Sequence, residues 1–187
     1  MVQHWFPRAA GRGRGPGRLA AGALACALLA GAPPQAAERA ARHALIGRLA
    51  PDFVEPLFAG PSRNFRLSER RGEVVVLGFW TSWCGSCRAY LERLGRLNAT
   101  YASAGLVVVG VSLDDDFGHA AELAHAVGVK YRNAWDRDRQ LGRRFGVDDV
   151  PLTLLIDREG IVRFVDVEPD AGGEAALIVE VRRLLDE

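Results

Sequence analysis

The chain has 187 residues, 49% of them hydrophobic and 25% charged, a balance that suits one folded domain and excludes a disordered tail. Its 24 basic and 23 acidic residues give a formal charge of +1, so nothing in the totals marks a nucleic-acid surface. With three cysteines, it is not a disulfide-stapled miniprotein.

These totals average two segments of different fate. Residues 1–18 hold Arg8, Arg12, Arg14 and Arg18 and no acid, and the apolar run Leu19–Ala32 is followed by Pro33-Pro34 and Ala36-Ala37. Basic, apolar, small-residue is the order of a secretory signal peptide. The apolar run, at 14 residues, falls short of the roughly 20 that span a bilayer. Residues 1–37 therefore read as a cleaved signal, with an uncleaved anchor as the alternative. Cys26 reads as filler within the apolar run rather than as a lipid-attachment site. Without the leader, 20 basic and 23 acidic groups remain, a net charge of about −3. The remaining cysteines are Cys84 and Cys87.

Residues 38–50 read as a short, partly helical lead-in to a domain over 51–187. An extended segment from Ala50-Pro51-Asp52-Phe53 to Leu57 turns at Ala59-Gly60-Pro61 into a short strand near Asn64–Leu67, which predicts a β-hairpin. Val74–Trp80 is continuously apolar, as a strand covered on both faces would be. Cys87, Tyr90, Leu91, Leu94, Leu97 and Tyr101 then recur at helical spacing, with Arg88, Glu92, Arg93 and Arg96 facing away. Gly105 ends that helix, and Leu106–Leu113 is a second buried strand. A helix over 118–127, a short extended piece over 130–135 with Trp135 in the core, and a helix near 138–145 follow. Leu152–Ile156 and Ile161–Val167 form a hairpin around Asp157-Arg158-Glu159-Gly160. A final helix buries Leu177, Ile178, Val181, Leu184 and Leu185. The sum is an α/β fold: a mixed central sheet with helices on both faces and an N-terminal β-hairpin extension.

The chemistry centres on Trp83-Cys84-Gly85-Ser86-Cys87, at the junction of a central strand and a helix. Unpaired N–H groups and the dipole at a helix N-terminus stabilise a thiolate and lower its pKa. Cys84 would be the exposed nucleophile and Cys87 its partner one turn inside, a pair that takes or gives two electrons through a mixed disulfide. Half of a zinc site fits poorly, because His119 and His125 are the remaining candidate ligands and no further cysteine exists. A purely structural disulfide gains little from so small a loop. Asp114-Asp115-Asp116 follows a strand and reads as a solvated loop that caps the next helix rather than as a cation site.

The segment from Phe79-Trp80 through Trp83-Cys84-Gly85-Ser86-Cys87-Arg88 resembles the active site of the thioredoxin superfamily. The Ala50-Pro51-Asp52-Phe53 opening and its hairpin narrow the resemblance to exported TlpA/ResA-like thiol–disulfide oxidoreductases. The stretch Phe145-Gly146-Val147, then Val150-Pro151-Leu152-Thr153-Leu154-Leu155-Ile156-Asp157, agrees, so the resemblance covers about 46–187. It implies a thioredoxin-like fold, a cis Pro151 facing the cysteines, a Val150 backbone offered to an extended client peptide, and Trp83 as a rim over the sulfurs. It also implies a redox-active Cys84–Cys87 disulfide with no cofactor or metal, a periplasmic location and clients such as apocytochrome c or copper-centre proteins. A membrane thiol donor would re-reduce it, and contact with the membrane itself would need a retained leader. The chain departs from the family's pattern at Gly78, where a buried Asp or Asn is usual, and at Tyr90 and Glu92, where Glu and Pro are common. Oxidase or isomerase action, a Cu(I) metallochaperone using the same thiolates, and a thiol peroxidase are the competing readings. The last lacks the Pro-x-x-x-Thr-x-x-Cys arrangement of a peroxidatic thiol.

Overall fold

The computed structural model describes residues 43–167 and 171–187; the expected signal segment and the start of the lead-in lie outside them. Seven strands form one sheet: β1 (Val54–Ala59), β2 (Asn64–Arg66), β3 (Val74–Trp80), β4 (Leu106–Ser112), β5 (Arg132–Trp135), β6 (Leu152–Ile156) and β7 (Val162–Val167), in the order β2-β1-β5-β4-β3-β6-β7. Strands β3, β4 and β5 run parallel, and β6, β7, β1 and β2 add antiparallel on the two sides. The helices are α1 (Cys87–Tyr101), α2 (Phe117–Val127), α3 (Gln140–Arg144) and α4 (Ala171–Asp186).

The apolar run of β3 divides residue by residue between two cores, as the two-residue period of a strand requires. Val75, Leu77 and Phe79 face a cluster containing Phe53, Phe65, Leu141 and Phe145. Val74, Val76 and Trp80 face a second cluster with α1, with Ala120 and Ala124 of α2, and with Leu177, Val181 and Leu184 of α4. Helices thus cover both faces of a mixed sheet that carries an N-terminal hairpin, as expected. Gly105, at φ 99°, takes the left-handed conformation that ends a short 3-10 turn after α1.

Some local expectations differ from the structure. Residues 43–50 form turns rather than a helix, because their backbone is taken up by the sheet edge: Gly47 N–H donates to Val162 O, Val162 N–H to Arg48 O, and Ala50 N–H to Gly160 O. A 3-10 turn over Leu67–Arg70 follows the hairpin. It is fixed by Asp52, which accepts from Ser68 N–H and Ser68 Oγ, both at 2.8 Å. Burial alone would raise the Asp52 carboxyl, but these hydrogen bonds and Arg66 hold it below its ordinary value. Arg93 does not face solvent. Its guanidinium lies 5.9 Å from the centre of the Tyr90 ring and 3.8 Å from Glu174, with its stem packed against the protein. Trp135 is only partly buried, its ring tilted at 52° against Phe117 with centroids 5.4 Å apart.

The glycine at position 78 is explained by the seating of α1 on β3. A Cβ there would overlap the Tyr90 hydroxyl and approach Leu94 Cδ1 to 2.8 Å. That hydroxyl lies 2.9 Å from Thr153 Oγ1 and donates to Leu152 O at 3.2 Å. Gly78→Ala is expected to cost about 1–3 kcal/mol through overpacking, and Tyr90→Phe about 1–3 kcal/mol through the orphaned partners. Because removing the hydroxyl opens the space the alanine needs, the double variant should lose at least about 0.5 kcal/mol less than the sum. Urea unfolding of the four proteins measures this, and strict additivity would refute the packing account.

Candidate active site

Strand β3 delivers the chain to a turn at the carboxyl end of the sheet, where the backbone needs partners to leave the sheet and enter α1. Asp114, 2% exposed, supplies them. Its carboxylate accepts from Ser82 N–H at 3.0 Å, from Ser82 Oγ at 2.6 Å and from Ser112 Oγ at 2.8 Å. The acidic triplet therefore splits in role. Asp116 does cap α2, accepting from Gly118 N–H and His119 N–H, but Asp114 is an internal anchor, not a solvated loop residue.

Past Ser82 the chain exposes Trp83 to 67%, leaves Cys84 half-buried and buries Cys87 completely. The two cysteines are disulfide-bonded, with Cα atoms 5.3 Å apart. Helix α1 begins at Cys87 itself, with Ser86 as its N-cap, so Cys87 heads the helix rather than lying a turn inside it. Cys84 precedes that first turn, and its carbonyl accepts from Cys87 N–H at 3.1 Å. The Ser86 hydroxyl lies 3.5 Å from Cys84 Sγ. The positive end of the helix is thus set beside the more accessible sulfur, where it favours a thiolate in the reduced state.

The opposite wall is the segment entering β6. The Val150–Pro151 peptide bond is cis, and Cys84 Sγ lies 3.6 Å from Val150 O. Pro151 is buried and Val150 half-buried. Trp83, Cys84, Cys87, Val150 and Pro151, singled out from the sequence, therefore converge on one place. Glu92 is exposed, as its helical position requires, and His119 and His125 lie exposed on α2.

Beneath this surface, the position filled by Gly78 is occupied by the Tyr90 hydroxyl. Burial pushes the Tyr90 phenol well above its ordinary value, the Thr153 hydrogen bond opposes this, and the neighbouring Asp166 charge adds to it. A hydroxyl pair, Tyr90 and Thr153, fills the space beside Gly78. Thr153 is in register with Gly78 on one side and Asp166 on the other.

Sequence reasoning missed Asp114 as part of this framework. The signal available was a Ser-x-Asp sequence closing a buried strand, next to a serine that ends the neighbouring one. Asp114→Ala should leave Ser82 N–H and Ser112 Oγ without their acceptor and lower stability by about 1–3 kcal/mol. Chemical denaturation measures the loss, and an unchanged midpoint would show that the anchor is dispensable.

The comparisons agree with this geometry. The family model AhpC/TSA matches residues 46–165. The thiol:disulfide interchange protein DsbE of Yersinia pestis is 35% identical over 123 residues, 65% of this chain and 63% of that protein, so the chain spans less than two thirds of this relative's length. The thiol-disulfide oxidoreductase ResA of Geobacillus thermodenitrificans is 31% identical over 118 residues, covering 63% of this chain and 67% of its own. Among solved structures, a putative DsbE from Chlorobium tepidum superposes with a TM-score of 0.70 at 35% identity, covering 75% of this chain and 97% of the other. The chain belongs to the AhpC/TSA family, alongside thioredoxin-like relatives named as thiol–disulfide oxidoreductases.

Proposed function

We propose that the protein is an exported thiol–disulfide oxidoreductase that reduces disulfides in client proteins. One observation carries this reading: a disulfide at a helix head, with one sulfur half-buried beside an exposed tryptophan and the other sealed in the core. In the reduced protein the Cys84 thiolate attacks a client disulfide, forms a mixed disulfide and releases the first client thiolate. The Cys87 thiolate then attacks Cys84 Sγ, releasing the second client thiolate and leaving the Cys84–Cys87 disulfide. Two electrons pass to the client, and a membrane thiol donor restores the dithiol. The burial difference between the sulfurs supports this order of attack, since a client sulfur reaches Cys84 first. Trp83 and the Val150–Pro151 segment flank that approach and form the client's docking rim.

The basic, apolar and small-residue order of residues 1–37 supports export to the periplasm. Among the described residues no helix is long and apolar enough to cross a membrane. The family resemblance of the active-site and Val150-Pro151 motifs supports apocytochrome c or a copper-centre protein as client class.

Replacing Cys87 with serine removes the resolving thiol. The full chain carrying Cys87→Ser, expressed in its own compartment, should accumulate a mixed disulfide through Cys84, seen as a reductant-sensitive mass shift. That adduct should vanish when Cys84 is also changed to Ser. Absence of any adduct, with wild-type protein inert toward model disulfides, would sink the reading. Stoichiometric Cu(I) binding by such an inert protein would favour the metallochaperone instead. Equilibration with glutathione fixes the direction: a reductant should sit more negative than about −180 mV, the range of isomerases.

A further inference from the structure

Two walls of the site come from distant parts of the chain, the turn that begins α1 and the segment that enters β6. At the surface they meet where Cys84 Sγ lies 3.6 Å from Val150 O. That sulfur changes its bonding partner at every exchange, so it cannot serve as a fixed tie between them. A second contact lies deeper. Tyr90, 1% exposed, shares the buried face of α1 with Cys87, three residues before it. Its hydroxyl donates to Leu152 O at 3.2 Å and lies 2.9 Å from Thr153 Oγ1. Leu152 is the first residue of β6 and directly follows the cis Pro151.

This contact has the properties of a strut. A tyrosine ring is rigid and turns about two torsions, and here its tip fills the space that a Cβ at position 78 would claim. Burial pushes the phenol above its ordinary value, so the hydroxyl keeps its proton and stays a donor. Tyr131 offers a contrast. It is 3% exposed, and its hydroxyl donates to Leu91 O of the same helix, also at 3.2 Å. Tyr131 directly precedes β5, however, and β4 and β3 separate β5 from β6. Both tyrosines hold α1 to the sheet, and of the two it is Tyr90 that also holds the strand following Pro151.

We propose that Tyr90 is a positioning residue for client docking: through Leu152, its hydroxyl sets the Val150–Pro151 wall at the distance from Cys84 that an extended client segment requires. The inference rests on the oxidoreductase reading and names the residue that keeps the docking rim in register with the nucleophile. A client that spans both walls depends on their spacing. A disulfide too small to reach Val150 depends on Cys84 alone.

The test uses the reduced full chain and two disulfides of thionitrobenzoate, one made with a cysteine inside an extended peptide and one with mercaptoethanol. In each, the Cys84 thiolate bonds to the peptide or mercaptoethanol sulfur and the original S–S bond breaks. Thionitrobenzoate leaves with the electron pair and is followed optically. The ratio of the two rate constants, peptide over mercaptoethanol, cancels any change in the thiolate itself. In Tyr90→Phe this ratio should fall about threefold to tenfold, the size of one net hydrogen bond. In Tyr131→Phe, which also takes a buried hydroxyl from α1, it should stay within about twofold of wild type, since that loss acts on stability alone. A ratio unchanged in Tyr90→Phe, or one that falls equally in both variants, overturns the proposal. If Tyr90→Phe fails to fold, Thr153→Val decides, because it removes the hydroxyl that orients that of Tyr90. Its ratio should fall at least about twofold, and an unchanged ratio overturns the proposal. A wild-type protein inert toward both disulfides overturns the oxidoreductase reading itself, and is told apart by that general inertness.

Discussion

Asp114 ties together the carboxyl ends of three strands. It holds Ser82 just after β3 and Ser112 at the end of β4, while its own backbone carbonyl accepts the indole N–H of Trp135 at the end of β5, at 2.8 Å. Parallel strands present their carboxyl ends on one side of a sheet, and there each chain must turn away with its hydrogen bonds still satisfied. A single buried acceptor meets that need for the segment that carries the cysteines. The placement of Trp83 and Cys84 relative to the sheet follows from where Ser82 is pinned, and the start of α1 follows from both.

From that anchor the asymmetry of the two sulfurs arises without further devices. Cys87 is the first residue of the apolar stripe Cys87, Tyr90, Leu91, Leu94 and Leu97, so packing α1 on the sheet draws its sulfur into the core. Cys84 belongs to the turn and is left at the surface. The close seating of α1 depends in turn on an absent side chain, since at Gly78 the tyrosine hydroxyl fills the volume another residue would claim. A comparable economy operates at Gly110 in β4, where an added Cβ would overlap the Asn133 amide that receives the Trp80 indole at 3.1 Å. In both places a glycine inside a strand marks a polar contact made across it.

Much of this was legible in the residues. The unbroken apolarity of Val74–Trp80 located a central strand to the residue, because double-sided burial leaves no polar position to blur its ends. The Cys-x-x-Cys spacing and the proline before β6 located two walls of the site that lie 66 residues apart in the chain. What was not legible depends on tertiary contact. Asp114 and Asp116 are chemically identical and two residues apart, yet one is a buried clamp and the other a surface cap, and only the position of Ser82 distinguishes them. Arg93 looked like a solvated arginine until Tyr90 and Glu174 came beside it. The lead-in over 38–50 was read as partly helical, whereas over 43–50 the start of β7 captured the backbone. Local propensity lost to sheet pairing there.

The edges of the sheet carry a consequence for the protein's solution behaviour. Strand β2 is only three residues long, preceded by the exposed cation Arg63 and ending on the exposed Arg66. At the other border the start of β7 is sealed by the chain over Gly47–Ala50, and Arg163 places a charge on the remainder. Short, charged or covered borders resist the edge-to-edge joining through which β-proteins aggregate. Neither border therefore offers an unpaired strand of another chain a template to extend.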